Sequence, residues 1–254
     1  MTMTVVKLKK VELGSGQPKI AVPITGEDQT SVLVQAKQIV AAQPDVIEWR
    51  LDYYQDILNT ANYRSTATAL IKLLGDIPLL TTFRTKKEGG EMALNNNDYF
   101  KIYQQVIDSH LTDALDIELF LPNKLVKDLI VLAQDADIAV VISNHDFNKT
   151  PAQDVIVERL NKMAALGGDI AKIAVMPNSA SDVVTLLKAT TIARQELSIP
   201  VITMAMGDLG KVSRISGEVF GSALTFGTVG ASSAPGQIEL TALRRELSEL
   251  TLAK

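Results

Sequence analysis

The sequence predicts an α/β protein of the (β/α)8-barrel, or TIM-barrel, class. Three observations carry that reading. Eight short apolar runs alternate with stretches of helical periodicity, the 254 residues match one eightfold βα barrel, and ionisable residues recur where the strands end. The strands are expected over 19–25, 45–51, 78–84, 113–119, 138–145, 169–176, 199–206 and 219–227. Between them, Phe100, Tyr103 and Ile107, or Leu125, Leu129 and Leu132, stand at helical spacing. Thr150-Pro151 predicts a helix start, with Thr150 as N-cap and Pro151 at the first helical position. His110 closes a helix that begins near Asn97, where a positive charge suits the C-terminal dipole. Upstream, 5–8 and 11–13 predict a β-hairpin covering the N-terminal mouth of the barrel. A doubly wound open sheet is the rival arrangement, but it usually has fewer strands and a Gly-rich first turn. Here the first strand ends in Pro23-Ile24-Thr25-Gly26. Length alone also permits two domains, yet no linker or low-complexity segment divides the chain. Residues 1–254 therefore read as one domain.

Composition narrows the function classes. Hydrophobic residues make up 46% and charged residues 21%, values of a globular protein with a real core. Aromatic residues are only 5%, so that core is built from Ile, Leu, Val, Ala and Met. A net charge of -4 and a pI near 5.3 argue against a nucleic-acid surface, while leaving room for a locally basic, anion-attracting pocket. The absence of cysteine removes disulfides, thiolate catalysis and Cys-containing zinc sites. With His110 and His145 the only histidines, an all-histidine metal site is excluded too. No apolar run is long enough to span a membrane, and the first residues alternate without a signal-peptide core. The expectation is a cytoplasmic protein.

Alternate residues of a barrel strand point inward, and catalytic groups sit at the C-terminal strand ends. Glu48 and Arg50 share one face of the second strand with Val46, while Ile47, Trp49 and Leu51 share the other. Arg84 ends the third strand in phase with Thr82. Asp116 and Glu118 are in phase on the fourth, His145 ends the fifth in phase with Ser143, and Lys172 lies within the sixth. Each falls about one βα repeat after the last, so neighbouring strands should deliver them to the barrel axis. Singly, a strand-end Arg or Glu reads as an ordinary ion pair. Burying the whole set without a task is costly.

Lys172 stands in an apolar run, Gly168 to Met176. Burial disfavours its ammonium form, and a nearby Arg50, Arg84 or Arg214 would do so further. A neutral amine attacks carbonyls to form imines. The competing reading is a strut paired to Glu118. His145, one strand earlier, suits general acid–base work beside an imine. Two loops look built for coverage: Thr85 to Glu91, with paired glycines, and Gly227 to Gln237, uncharged and rich in small residues. The second reads as an active-site lid, as a plain flexible loop or as a phosphate site. Gly207 to Lys211 is no P-loop, since Ala205 stands where its first glycine belongs.

Several motifs occur in order: Glu48-Trp49-Arg50, Arg84 with Lys86-Lys-Glu-Gly-Gly90, Asn144-His145-Asp146-Phe147, and the Lys172 strand. Met204-Ala-Met206-Gly207, Ser213-Arg214 and Ser233-Ala-Pro-Gly-Gln237 follow. As an ordered set, from about Pro18 to Glu246, they resemble the type I 3-dehydroquinate dehydratases of the shikimate pathway. The resemblance implies a hydro-lyase of aromatic amino acid biosynthesis that converts 3-dehydroquinate to 3-dehydroshikimate. It assigns Lys172 as the imine-forming nucleophile, His145 as the proton shuttle and Glu88 as the group orienting His145. Arg214 would pair with the substrate carboxylate, a bidentate task suited to guanidinium. Glu48, Arg50 and Arg84 would hold hydroxyls, and Ser233 and Gln237 would close over the substrate. Met204 and Met206 would line the pocket or pack in the core. No metal or organic cofactor is implied, and a homodimer is. One departure stands out: Pro23 occupies a position where some family members place a substrate-contacting serine. Two other readings remain at this stage, a lysine-imine aldolase acting on a sugar phosphate and a non-catalytic, anion-binding barrel.

Overall fold

In a computed structural model that describes residues 4–230 and 233–252, the chain opens with a two-residue-turn hairpin. Its strands, β1 (Val6–Leu8) and β2 (Val11–Leu13), pair antiparallel as expected. Lys9 takes the positive φ, 51°, that tight hairpin turns require. Residues 231 and 232 of the 227–237 loop, and the chain ends at 1–3, 253 and 254, lie outside the described residues.

Eight parallel strands follow in chain order: β3 (Lys19–Ile24), β4 (Val46–Arg50), β5 (Leu79–Thr82), β6 (Ala114–Glu118), β7 (Ala139–Asp146), β8 (Ile170–Val175), β9 (Val201–Ala205) and β10 (Leu224–Thr228). Strand β10 pairs back onto β3, and a two-residue strand, β11 (Ile238–Glu239), extends its far side. The ring closes between β9 and β10 through a single bridge, Val201 to Ser222, with Ala223 N donating to Val201 O at 2.8 Å. At that seam the Ser222 hydroxyl replaces a backbone rung, accepting from Thr203 N at 3.0 Å. The chain is thus a (β/α)8 barrel capped by a hairpin.

Helices α1 (Gln29–Ala41), α2 (Thr60–Leu74), α3 (Asn96–Ser109), α4 (Asn123–Asp135), α5 (Gln153–Ala165), α6 (Ala180–Glu196) and α9 (Leu240–Glu249) wrap the outside. Two short helices, α7 (Lys211–Ile215) and α8 (Gly217–Phe220), fill the connection before β10. Asp28–Ser31 and Ser179–Asp182 form capping boxes at α1 and α6, and Asn59 and Asn95 cap α2 and α3. Among the described residues no helix is long and apolar enough to cross a membrane.

Two expectations need correction. The eighth strand begins at Leu224, because Val219 and Phe220 belong to α8, which Gly221 ends in the left-handed region at φ 102°. Helix α5 starts at Gln153 with Ala152 at the N-cap position; Thr150 instead donates to Met176 O at 3.1 Å. On α4 the buried ridge is Val126, Leu129, Ile130 and Ala133, leaving Leu132 more than a third exposed. His110 does close α3, as an exposed residue in the left-handed region.

The barrel interior is layered. Ala21, Val46, Leu80, Ala114, Val141, Ile170, Ile202 and Leu224 fill its N-terminal half, and Leu8 and Leu13 of the hairpin plug that floor. Ile47, Trp49 and Leu51 face the helices, so Glu48 and Arg50 face the interior, as strand alternation demands. A second apolar layer between strands and helices holds the wall rigid.

Candidate active site

Above the apolar floor the interior turns polar. A cavity opens at the C-terminal strand ends, and Glu48, Arg50, Arg84, Glu88, His145, Lys172, Arg214, Ser233 and Gln237 all line it. All nine residues to which the resemblance gave a catalytic or binding role therefore reach one space, while Asp116 and Glu118 lie behind its lining.

At its base Lys172, 3% exposed, donates to Asp116 Oδ2 at 2.8 Å and lies 3.7 Å from Glu48 Oε1. Its ammonium also stands 4.6 Å from the Phe226 ring centroid. Lysine–Glu118 pairing, the strut reading, is not what forms. Glu118 is taken by Arg84 Nη1 at 3.0 Å and by the backbone and hydroxyl of Thr85, both at 2.7 Å. Nor are arginines the nearest charges to Lys172. Arg84 is turned into an anionic nest of its own, with Asp116 Oδ1 at 2.7 Å, Ser143 Oγ at 3.0 Å and Glu88 at 3.6 Å. Burial works to raise the Asp116 carboxyl, but Arg84 and Lys172 more than offset it and hold it well below the usual carboxylate range.

His145 projects from β7 into the same cavity. Glu88, delivered by a 3-10 turn at Lys86–Glu88, meets His145 Nδ1 at 3.0 Å and accepts from its backbone N at 2.8 Å. Burial, then Arg84 and Lys172, holds the imidazole well below its ordinary value. Burial also pushes Glu88 up to about 7, against the pull of Arg84. With Nδ1 committed to Glu88, a neutral His145 keeps Nε2 as the nitrogen free to act on a ligand. The glycines that follow are conformationally required. Gly89 adopts φ 84° beneath the Phe147 ring, and a Cβ on Gly90 would sit 1.9 Å from Arg84 O.

Arg214, on α7, is only 1% exposed, and among the described residues no carboxylate lies within ion-pair distance. Its guanidinium donates to Phe226 O at 3.4 Å and Pro235 O at 3.1 Å, while Nε has no hydrogen-bond partner. Burial without an anion lowers it to about 10. Such a cation is chemically able to pair with an anionic ligand. Pro235 belongs to the last loop, whose Ser233 N and Gln237 Oε1 are bonded at 2.9 Å and whose Pro235 O accepts from Gly207 N at 3.2 Å. Arg50 is bidentate to Asp52 through Nε and Nη2, both at 2.8 Å, leaving Nη1 outside the pair. Glu48 accepts from Thr82 Oγ1 at 2.8 Å. Pro23 sits in β3 beside Glu48 and is not among the cavity-lining residues. Among the described residues no cluster of acidic or histidine side chains is arranged to hold a metal ion.

A family model for type I 3-dehydroquinase matches residues 20–253. The chain belongs to that family. It is similar to the 3-dehydroquinate dehydratase of Lactiplantibacillus plantarum, at 56% identity over 97% of this chain and 98% of that one. The type I 3-dehydroquinate dehydratase of Clostridium difficile, solved with covalently modified comenic acid, superposes with a TM-score of 0.95 at 40% identity, covering 98% of both chains. The Geobacillus kaustophilus enzyme gives 0.95 at 38% identity, covering 98% of this chain and 97% of that one.

Sequence reasoning overlooked one member of this type I 3-dehydroquinase site. Asp52 is fully buried, grips Arg50, and accepts from the backbone N of Arg84 at 3.3 Å and of Glu91 at 3.1 Å. It continues the Glu48–Arg50 alternation past the strand end, a signal that was there to be followed. Asp116 and Asn144 were visible in the pattern but carried no role, because their partners come from elements distant in sequence.

Proposed function

We propose that this chain dehydrates 3-dehydroquinate to 3-dehydroshikimate through an imine on Lys172, as one catalytic domain. The observation that carries the reading is the convergence of three groups on one cavity: a buried lysine, a histidine held by a carboxylate, and a buried arginine with no carboxylate in ion-pair distance among the described residues. Lys172 passes its ammonium proton to His145 Nε2 and the freed amine attacks the ketone carbon; His145 returns that proton to the carbinolamine hydroxyl, which leaves as water to give an iminium. His145 Nε2 then removes a proton from the adjacent carbon, and the electrons flow to the iminium nitrogen, forming an enamine. The enamine expels the hydroxyl one carbon further on, which leaves as water with the proton His145 carries. Water then hydrolyses the product iminium and frees Lys172. The water added in hydrolysis balances the water lost in imine formation, so the net loss is one water.

Glu88 orients His145 through Nδ1 and stabilises the imidazolium during the proton's residence. Arg214 receives the substrate carboxylate, Glu48, Arg50 and Arg84 fix the hydroxyls, and Ser233 with Gln237 covers the ligand. Lysine supplies the electron sink, so the chemistry calls for no metal or organic cofactor. The family resemblance supports placing the reaction in the shikimate pathway, in a cytoplasmic homodimer that needs neither nucleic acid nor membrane.

Borohydride added with 3-dehydroquinate should leave a mass adduct on the peptide containing Lys172, while the conjugated enone product absorbs in a separate assay. Lys172→Ala should abolish both. An adduct at a different lysine, or enone formation without one, overturns the mechanism.

A further inference from the structure

We infer that Arg159 and Asn144 are positioning residues for the general base, reaching it from outside the cavity through a hydrogen-bonded chain that runs Arg159–Asn144–Glu88–His145. The inference rests on the imine reading above, which gives His145 its task.

The strand alternation that sends Ser143 and His145 inward sends Asn144 outward, where it is 3% exposed. A buried amide there must find partners for both ends or lose hydration uncompensated. It finds them on two different elements. Arg159 Nη1, from α5, lies 2.8 Å from Asn144 Oδ1, and Asn144 Nδ2 lies 3.0 Å from Glu88 Oε1. Guanidinium donates only, so Arg159 requires the amide oxygen on its own side. That requirement turns the NH2 toward Glu88. With Oε1 occupied by this donor, Oε2 is left for His145 Nδ1 and the His145 backbone. Arg159 is absent from the cavity lining and touches no carboxylate among the described residues. Its other contact is the exposed ring of Phe120, 5.2 Å from the guanidinium carbon, which Lys162 also approaches at 5.8 Å. A surface cation is thereby tied to the amide that sets the carboxylate.

The charged groups around Glu88 are Arg84 at the end of β5, Glu118 on β6 and His145 on β7, with Asp116 and Lys172 beyond the imidazole. Asn144 donates to the ionised carboxylate and favours that form, so losing the donor raises the proton affinity of the Glu88–His145 pair.

Arg159→Met at this half-buried position keeps the stem that packs on Phe120 and removes the donor. Two measurements read the result. In the first, kcat should fall between about 10-fold and 100-fold, the usual range for removing an outer partner of a reacting group, with KM within about twofold. The acid limb of kcat/KM should move to higher pH. In the second, nitrogen NMR of His145 should show its titration displaced the same way, whether or not turnover is detected. Arg159→Lys keeps a donor and should recover most of kcat, and Asn144→Leu should reproduce the Arg159→Met profile. An Arg159→Met variant with the wild-type pH profile and wild-type His145 spectrum overturns the chain of positioning. A wild-type protein that forms no borohydride adduct overturns the imine reading instead, and the NMR measurement still decides the role of Arg159.

Discussion

Each charged side chain in the cavity has a fate set by its partners. Asp116 stands between two buried cations, and Asp116→Ala would leave Arg84 and Lys172 without their shared anion. Removing one member of such a network costs about 3–5 kcal/mol, which urea unfolding should register. Arg214 is the opposite case, a buried cation with no carboxylate in ion-pair distance among the described residues. Arg214→Ala should raise KM sharply, since a charge-assisted bond contributes roughly 1.5–3 kcal/mol. Arg214→Lys should recover little, because ammonium lacks the planar fork. Wild-type kinetics in Arg214→Ala would move the carboxylate site elsewhere. Glu88 and His145 make a pH prediction of opposite signs. Just below about pH 6.5, the native state holds an extra proton on Glu88 while the unfolded state holds one on the histidine, so their effects on stability offset. Glu88→Gln removes one side of that balance. Its stability should be full above about pH 6.5 and fall as pH drops below it, by about 1.4 kcal/mol per unit. A flat stability profile in that variant would show that His145 is not held neutral by the fold.

At the scale of elements, three aspartates perform the same task at the base of alternate strands. Asp45, Asp113 and Asp169 each accept at 2.8 Å from a backbone N of the preceding strand: Ile20, Leu79 and Val140. Asp169→Ala should leave the Val140 N–H unsatisfied at a loss of about 1–3 kcal/mol, with kcat/KM unchanged. A change in kcat/KM would mean the floor and the site are mechanically joined. Elements also show how far the sequence could be read. Strand alternation placed Glu48, Arg50, Asp116, Glu118, His145 and Lys172 correctly, because a period of two leaves little freedom once one face is apolar. It failed at Val219, where apolar residues enter a four-residue helix ended by Gly221. Local composition there does not distinguish strand from turn, and the seam with β9 decides. Pairings were less legible than positions: which acid takes Lys172 depends on barrel stagger, which no single strand encodes.

For the molecule as a whole, the interior divides by height. The N-terminal half is apolar and plugged by Leu8 and Leu13, while the C-terminal half carries the charges. Leu13→Ala should therefore lower the melting temperature, with a loss of about 2–5 kcal/mol, while turnover at moderate temperature stays near wild type. A proportionate fall in kcat would contradict the division.

The ring of strands has one thin join, where β9 meets β10 through a lone bridge and the Ser222 hydroxyl. A closed ladder opens first where it has fewest rungs, and the segment released there is the one bearing Arg214 and the loop of Ser233 and Gln237. Amide protons along that join should consequently exchange with solvent deuterons ahead of those in β4 to β8. A bound carboxylate, by bridging Arg214 to the opposite wall, should slow them, so that ligand occupancy is readable as protection at a place the ligand does not touch.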